Sequence, residues 1–329
     1  MRFVARRLAL YVVIAWAAIT INFLIPRMMP GDPVDLLVDR LKGQVDPAAI
    51  TSLRQAFGLS DASLLNQYWD YLGNLFHGDL GRSISFYPTA VSDVIATTLP
   101  WTLGLIGVCT VISFVLGTSA GIIAAWKRGG WTDMLVPSTT FLHSIPYFWM
   151  ALLLVFIFGV VLGWLPISGA YDTDLPPVLS GEFIGSVLYH ALLPAITIVV
   201  SSIAGWLLGM RNMMITTLGE DYVTLAQAKG LSRMRVMTAY AARNAILPSF
   251  TGFALSLGFV VGGSMLTEVI FSYPGVGYTL YQAVQNEDFP LMQGLFLVIS
   301  LSVLAANLLA DLAYVLLDPR IRANASGAS

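Results

Sequence analysis

Six stretches of the chain carry no charged residue over at least about 18 positions, the length an apolar helix needs to cross a hydrocarbon core roughly 30 Å thick. They cover residues 8–26, 94–126, 134–171, 183–210, 244–267 and 289–310. The second and third are longer than one crossing, but Pro100 stands near the start of one, and Pro166, Ser168 and Gly169 near the end of the other. Each therefore reads as one tilted span with uncharged loop attached. None of the runs keeps a two-residue alternation, and lipid satisfies no backbone polar group, so helices are predicted rather than a barrel.

Between the first two runs lies the one long polar segment, residues 31–93, opened by Pro30-Gly31-Asp32-Pro33, which cannot continue a helix. Two helices are predicted in it. One starts at the N-cap Asp46 with Pro47 in its first turn and reaches Phe57 before Gly58. The other carries Leu64, Leu65, Tyr68, Trp69, Leu72, Leu75 and Phe76 at helical spacing and stops at Gly78. Too short to bury a core of its own, this segment reads as a cap leaning on the spans or on a partner.

The connection between the fourth and fifth runs is longer than a simple link needs. Residues 219–228 are helix-compatible, Gly230 breaks the helix, Ser232 can cap the next one, and residues 233–247 form a second short helix that Pro248 is expected to stop. Arg233, Arg235 and Arg243 alternate there with Met234, Val236, Met237 and Tyr240, a mixed face suited to a protein partner or a phospholipid surface.

Composition agrees with a membrane protein. Of 329 residues, 57% are hydrophobic and 11% charged, less than half the share a soluble surface requires, and the net charge of −2 offers no field for nucleic acid. Twelve of the seventeen Lys and Arg residues fall at the N-terminus, between spans 2 and 3, between spans 4 and 5, or after span 6. Short basic segments stay in the cytoplasm, so both termini are predicted inside. The first run is longer than a signal-peptide core and lacks a small-x-small cleavage pattern before Pro26, so it reads as an anchor.

Little in the chain can carry covalent chemistry. Cys109 is the single cysteine, the three histidines (His77, His143, His190) are scattered, and there is no HExxH motif and no phosphate-binding loop. Gly117-Thr118-Ser119-Ala120-Gly121 fits the G-x-S-x-G pattern of a serine hydrolase. It lies inside an apolar helical run, however, where small residues serve close helix packing. Ser264, Glu268, Asn307 and Asp311 are candidate pathway residues, because polar groups at membrane depth are costly and often line a route. A stand-alone channel or carrier and an intramembrane hydrolase using Ser119 are the readings from other classes.

Taken in order, several segments resemble the permease subunits of ATP-binding-cassette importers, in the branch of the oligopeptide and dipeptide permeases. They are Pro30-Gly31-Asp32-Pro33, Gly78-Asp79-Leu80-Gly81, Ile145-Pro146-Tyr147-Phe148-Trp149, Leu162-Gly163-Trp164-Leu165-Pro166, Phe271-Ser272-Tyr273-Pro274-Gly275 and Leu317-Asp318-Pro319-Arg320. Asp221-Tyr222-Val223, Ala226-Gln227-Ala228-Lys229-Gly230-Leu231 and Arg243-Asn244-Ala245-Ile246-Leu247-Pro248 fall where that family has the coupling helix that docks on the ATPase. Thr224 stands where the broader importer pattern has Glu, so a role for that Glu does not carry over.

The resemblance implies an all-α integral membrane protein of six transmembrane helices, with an outer helical cap between spans 1 and 2 and a cytoplasmic coupling hairpin between spans 4 and 5. Its expected parts are an anchor at 1–30, the cap at 31–93, a five-span core at 94–322 and a tail at 323–329. It implies a non-enzymatic subunit of a prokaryotic cell membrane. Its partners would be a second permease subunit, two ATPase subunits that bind the ATP and magnesium, an extracytoplasmic solute-binding protein and the lipid bilayer. The coupling contact would rest on Asp221, Ala228, Lys229, Gly230, Leu231, Ser232, Arg233, Met234 and Arg235. The expected cargo is a short peptide, with cello-oligosaccharides, or less readily nickel, as the alternative.

Overall fold

The computed structural model describes residues 2–28, 63–127 and 132–317, without the side chains of 2–6, 26, 132, 133, 135 and 310–317. The predicted helix from Asp46 to Phe57 and the segments at 30–33 and 318–320 lie outside the described residues. The regular structure among the described residues is helical, apart from a single isolated bridge between Arg82 and Ala90.

In chain order the helices are α1 (Arg2–Met28), α2 (Leu64–Phe76), α3 (Val91–Thr102), α4 (Val108–Trp126), α5 (Thr132–Ser144), α6 (Tyr147–Leu154), α7 (Gly181–Leu218), α8 (Asp221–Ala228), α9 (Arg233–Arg235), α10 (Arg243–Val260), α11 (Met265–Ile270), α12 (Val276–Gln285) and α13 (Phe289–Leu317). Three π-turns interrupt this order, at Leu103–Gly107 between α3 and α4, at Val155–Val161 after α6, and at Val236–Ala242 between α9 and α10.

Among the described residues, four helical stretches are long and apolar enough to cross a membrane: Arg7–Ile25, Val91–Trp126, Gly181–Leu218 and Phe289–Leu309. A fifth is obtained if the pair Val136–Ser144 and Tyr147–Val161, bent by 94°, counts as one span. The bend has a covalent cause. Pro146 has no N–H for the ladder and its ring disfavours helical backbone at Ile145, so the helix stops at Ser144 and restarts with Pro146 as N-cap.

The predicted fifth run, 244–267, is not a single helix. It divides into α10 and the six-residue α11, because Gly262-Gly263 breaks it and Gly263 adopts φ +68°, where a side chain would be strained. Pro248 does not stop the preceding helix as expected. It sits inside α10, on a helix already widened by the π-turn at 236–242, and the Asn244 side chain donates to Tyr240 O at 2.9 Å.

The chain forms two compact units. In the first, comprising Met1–Thr102, Val261–Met265 and Pro274–Ser329, helices α3, α12 and α13 close a core of Val91, Ile95, Val276, Leu280, Leu291 and Leu295. α1 joins α13 through the Asn22 side-chain amide, which donates to Gln293 O at 2.7 Å. Thr102 is fully buried and its hydroxyl oxygen accepts from Val276 N at 2.8 Å, which satisfies the first N–H of α12. Thr102→Val keeps the shape but leaves that N–H unpaired. A loss of about 1–2 kcal/mol is expected, read as a lower melting temperature in detergent.

In the second unit, comprising Leu103–Val260 and Leu266–Tyr273, the long helix α7 packs along α4 and carries α5, α6 and α10 on its other sides. The contact with α4 is made possible by Gly117 and Gly121. A Cβ on Gly117 would stand 2.6 Å from Trp206 Cβ and 2.8 Å from Ile203 O, and one on Gly121 2.5 Å from Leu207 O. Phe114 stacks on Phe253 of α10 at 4.3 Å and meets Trp206 edge-on at 5.2 Å, tying α4, α7 and α10 together.

Candidate functional site

The segment running from α8 through the π-turn is a folded elbow with one face anchored and one face free. Val223 and Ala226, three residues apart on α8, point the same way and are buried with Val236 against Trp126, Leu218, Leu231 and Tyr240. A second cluster behind it, of Ala125, Met210, Met214, Ala241, Ala242 and Ala245, fixes the helix that follows. Small alanines there let the π-turn lie close to α4 and α7.

The turn itself is set by Gly230, whose φ of +72° favours glycine, and its N–H donates to Gln227 O at 2.9 Å. Ser232 occupies the N-cap position of α9, as expected, although its side chain makes no capping bond; its carbonyl accepts from Val236 N at 3.0 Å. The outward face consists of Asp221, Ala228, Lys229, Gly230, Ser232, Arg233, Met234 and Arg235, all exposed, with Leu231 half-buried beneath them.

Two exposed members escaped the sequence reading as site residues, Tyr222 and Leu225. The signal for them was available: once Val223 and Ala226 face inward, Leu225 must face outward, and it is 57% exposed beside Met234 at 65%. Exposed apolar side chains on the same short segment as the exposed Lys229, Arg233 and Arg235 suit contact with a protein surface that carries acidic and apolar groups.

The four candidate pathway residues occupy three different elements. Ser264 is half-buried in the 261–264 break, Glu268 is fully buried in α11, and Asn307 is half-buried in α13. The side chain of Asp311 lies outside the described residues. The chain on either side of Glu268 is tied by hydrogen bonds. Thr267 is fully buried and its hydroxyl is hydrogen-bonded to the Tyr147 hydroxyl of α6, and Tyr273 N donates to Glu268 O at 2.8 Å. Ser272, between them, takes φ +46°, a left-handed turn that folds the chain back so that Gly169 N reaches Phe271 O at 2.8 Å.

The histidines show no shared site. His77 bonds Gly73 O and His190 bonds Ser186 O, each within its own turn of helix. Ser119 is exposed on the side of α4 away from Gly117 and Gly121, which are buried against α7, as the packing reading of that motif requires. Among the described residues no group of three His, Cys, Asp or Glu side chains is placed to hold a metal.

A chain whose described residues include several membrane-length helices and no strand is a polytopic membrane protein. The profile of the family described as "Binding-protein-dependent transport system inner membrane component" matches residues 117–323, and the N-terminal membrane-component profile of such systems matches residues 1–106. The chain is 37% identical to the di/tripeptide transport system permease protein DppB of Pseudomonas aeruginosa, with 97% of this chain and 98% of that one covered. It is 35% identical to the dipeptide transport system permease protein DppB of Escherichia coli (98% and 99% covered) and 33% to the oligopeptide transport system permease protein AppB of Bacillus subtilis (97% and 98%). The chain belongs to this family of membrane components and within it to the DppB/AppB type of ATP-binding-cassette permease. It is a multi-pass inner-membrane subunit and not itself an enzyme; ATPase and binding-protein partners come with such a system.

Proposed function

We propose that this chain is one of two permease subunits of an importer for short peptides, and that partner ATPases drive it through the elbow at 221–235. The observation that carries the cargo is relatedness over nearly the whole chain to permeases of dipeptides, tripeptides and oligopeptides. In this reading the cap at 31–93 faces outward between the anchor 1–30 and the core 94–322. Six crossings are made by α1, the α3–α4 stretch, the bent α5–α6 pair, α7, α10 with α11, and α13. Both termini and the elbow then lie in the cytoplasm, as the distribution of Lys and Arg favours. ATP and magnesium belong to the two ATPase subunits, an external binding protein delivers the peptide, and this chain needs no cofactor. Ser264, Glu268, Asn307 and Asp311 are the candidates for lining the route.

Mechanically, the elbow acts as a ball seated in the ATPase. Val223, Ala226 and Val236 bolt it to the ends of α4 and α7, so a displacement of its exposed face is passed on as a rigid-body movement of those helices. The test is reconstitution of the whole importer in liposomes, with labelled dipeptides and tripeptides in one arm and cello-oligosaccharides in the other. ATP-dependent peptide uptake is expected; saccharide uptake without peptide uptake overturns the cargo assignment. In the same preparation Met234→Glu, at an exposed position that folding does not need, is expected to lower ATPase association about tenfold or more, the effect of losing one ~2 kcal/mol interface anchor. Unchanged ATPase retention and uptake would remove the elbow from the mechanism.

A further inference from the structure

Helix α2 has three faces, and only two of them are accounted for by the protein and by water. Tyr68 and Tyr71 turn inward to α1: the Tyr68 hydroxyl is 2.7 Å from the Thr20 hydroxyl, and the Phe23 ring lies 5.2 Å from Tyr68 and 5.5 Å from Tyr71. Asn66, Asp70 and Asn74, roughly 130° further round at 100° per residue, form an exposed polar face. Between these lies an uncharged stripe of Leu65, Trp69, Leu72 and Phe76. Three of its members project into open space, with Leu65 67%, Trp69 63% and Phe76 88% exposed.

The depth of the helix decides what covers that stripe. Thr20 is within the membrane-crossing stretch Arg7–Ile25, five residues before its end, which places the Tyr68 contact about 7 Å inside the apolar run. At the same end Arg27 donates to the Gln67 side chain at 3.1 Å and lays its guanidinium 3.7 Å over the Phe23 ring, the posture of a cation at the edge of the hydrocarbon. α2 therefore lies beside the end of a span and not above it. At the same end α1 also exposes apolar side chains, Ile21, Leu24 and Ile25.

We infer that α2 is an interfacial helix whose Leu65, Trp69 and Phe76 insert into the headgroup and acyl boundary of the leaflet at the C-terminal end of α1. An interfacial helix buries its apolar face roughly 5–10 Å deep and keeps its polar face in water, and Trp is favoured at that level. The lipid contact depends only on membership of the membrane family; its assignment to the outer leaflet rests on the orientation given under Proposed function. The helix would then fix the height of the external segment against the bilayer.

The experiment uses the assembled importer in lipid nanodiscs, with single nitroxide labels at 65, 69, 72 and 76 and at 66, 70 and 74 in a Cys109→Ser background. Membrane oxygen and water-soluble nickel chelate are the colliding probes. Labels in the first set are expected to meet oxygen several-fold more often than nickel chelate, and those in the second set the reverse, with a helical period. Equal access of nickel chelate to both sets overturns the inference in favour of a solvated face, and shielding of the first set from both probes overturns it in favour of a protein contact, including one with residues 29–62. A membrane-impermeant thiol reagent on Cys placed at 66, 70 or 74 separately reports the side of the membrane. Labelling from the cytoplasm would correct the orientation and leave the lipid contact standing.

Discussion

Gly121→Leu is expected to abolish recovery of the folded chain, with the monodisperse peak in detergent lost. The atoms a side chain would meet are Leu207 O at 2.5 Å, Met210 Cβ at 2.9 Å and Arg211 N at 3.0 Å, two of them backbone of the facing helix α7. A flexible side chain could turn aside, but a helix backbone can yield only by moving as a whole. That separates α4 from α7 along a contact that also includes Gly117. Overpacking of a tight core costs about 1–3 kcal/mol, and a clash with backbone belongs at or above the top of that range. Gly205→Ala, on α7 but with nothing within 4 Å of the new Cβ, is the matched control and is expected to change stability by less than about 0.5 kcal/mol. A Gly121→Leu protein that melted with the wild type would mean that α4 and α7 do not approach as closely as their backbones indicate.

That contact also shows what could be read from the amino-acid order. The pair Gly117 and Gly121 is a local signal, small residues one turn apart in an apolar run, and it correctly points to packing and away from a hydrolase. The elbow was equally local: a glycine that tolerates positive φ at 230, a capping-type residue at 232 and inward apolar positions at 223 and 226. Charge-free length found α1, the α3–α4 stretch, α7 and α13, because the cost of burying charge in lipid acts residue by residue. It failed where the backbone, not the side chains, sets the break. Pro146 bends an uncharged run by 94°, Gly262-Gly263 cuts another, and absence of charge is blind to both. Pro248 erred the other way, since the helix that follows the π-turn runs through it. The polar contacts that lock the first unit, Thr102 to Val276 and Ser83 to Asp288, join residues 174 and 205 positions apart, and no local pattern announces such pairs.

Asp288→Ala is expected to be the most damaging change outside the helix contacts. Asp288 is fully buried, and its carboxylate accepts three bonds: from Ser83 Oγ at 2.5 Å, from Ser85 N at 2.8 Å and from Leu291 N at 3.1 Å. It thus caps the N-terminus of α13, where the helix dipole favours negative charge, and pins the 83–85 turn to it. Alanine leaves all three donors without an acceptor in a site that water does not reach. At about 1–3 kcal/mol for each orphaned group, the loss is expected on the order of 3–5 kcal/mol, a large fraction of the stability of an ordinary domain. Asp288→Asn keeps the shape and one acceptor but turns an NH2 group towards a donor and removes the charge, so it should fall between alanine and the native protein. Ser83→Ala removes one of these donors and also takes the acceptor from Phe86 N, which donates to Ser83 Oγ at 3.1 Å, so it should cost about 1–2 kcal/mol. Because both changes act on one bond, the double variant is expected to be less destabilised than the sum of the two by about 1 kcal/mol. Melting temperatures of the four proteins measure this directly, with protease sensitivity of the 78–90 segment as a second reading. Strict additivity would mean that Ser83 and Asp288 are not bonded, and an Asp288→Ala protein as stable as Ser83→Ala would mean that the carboxylate is not what holds this turn against α13.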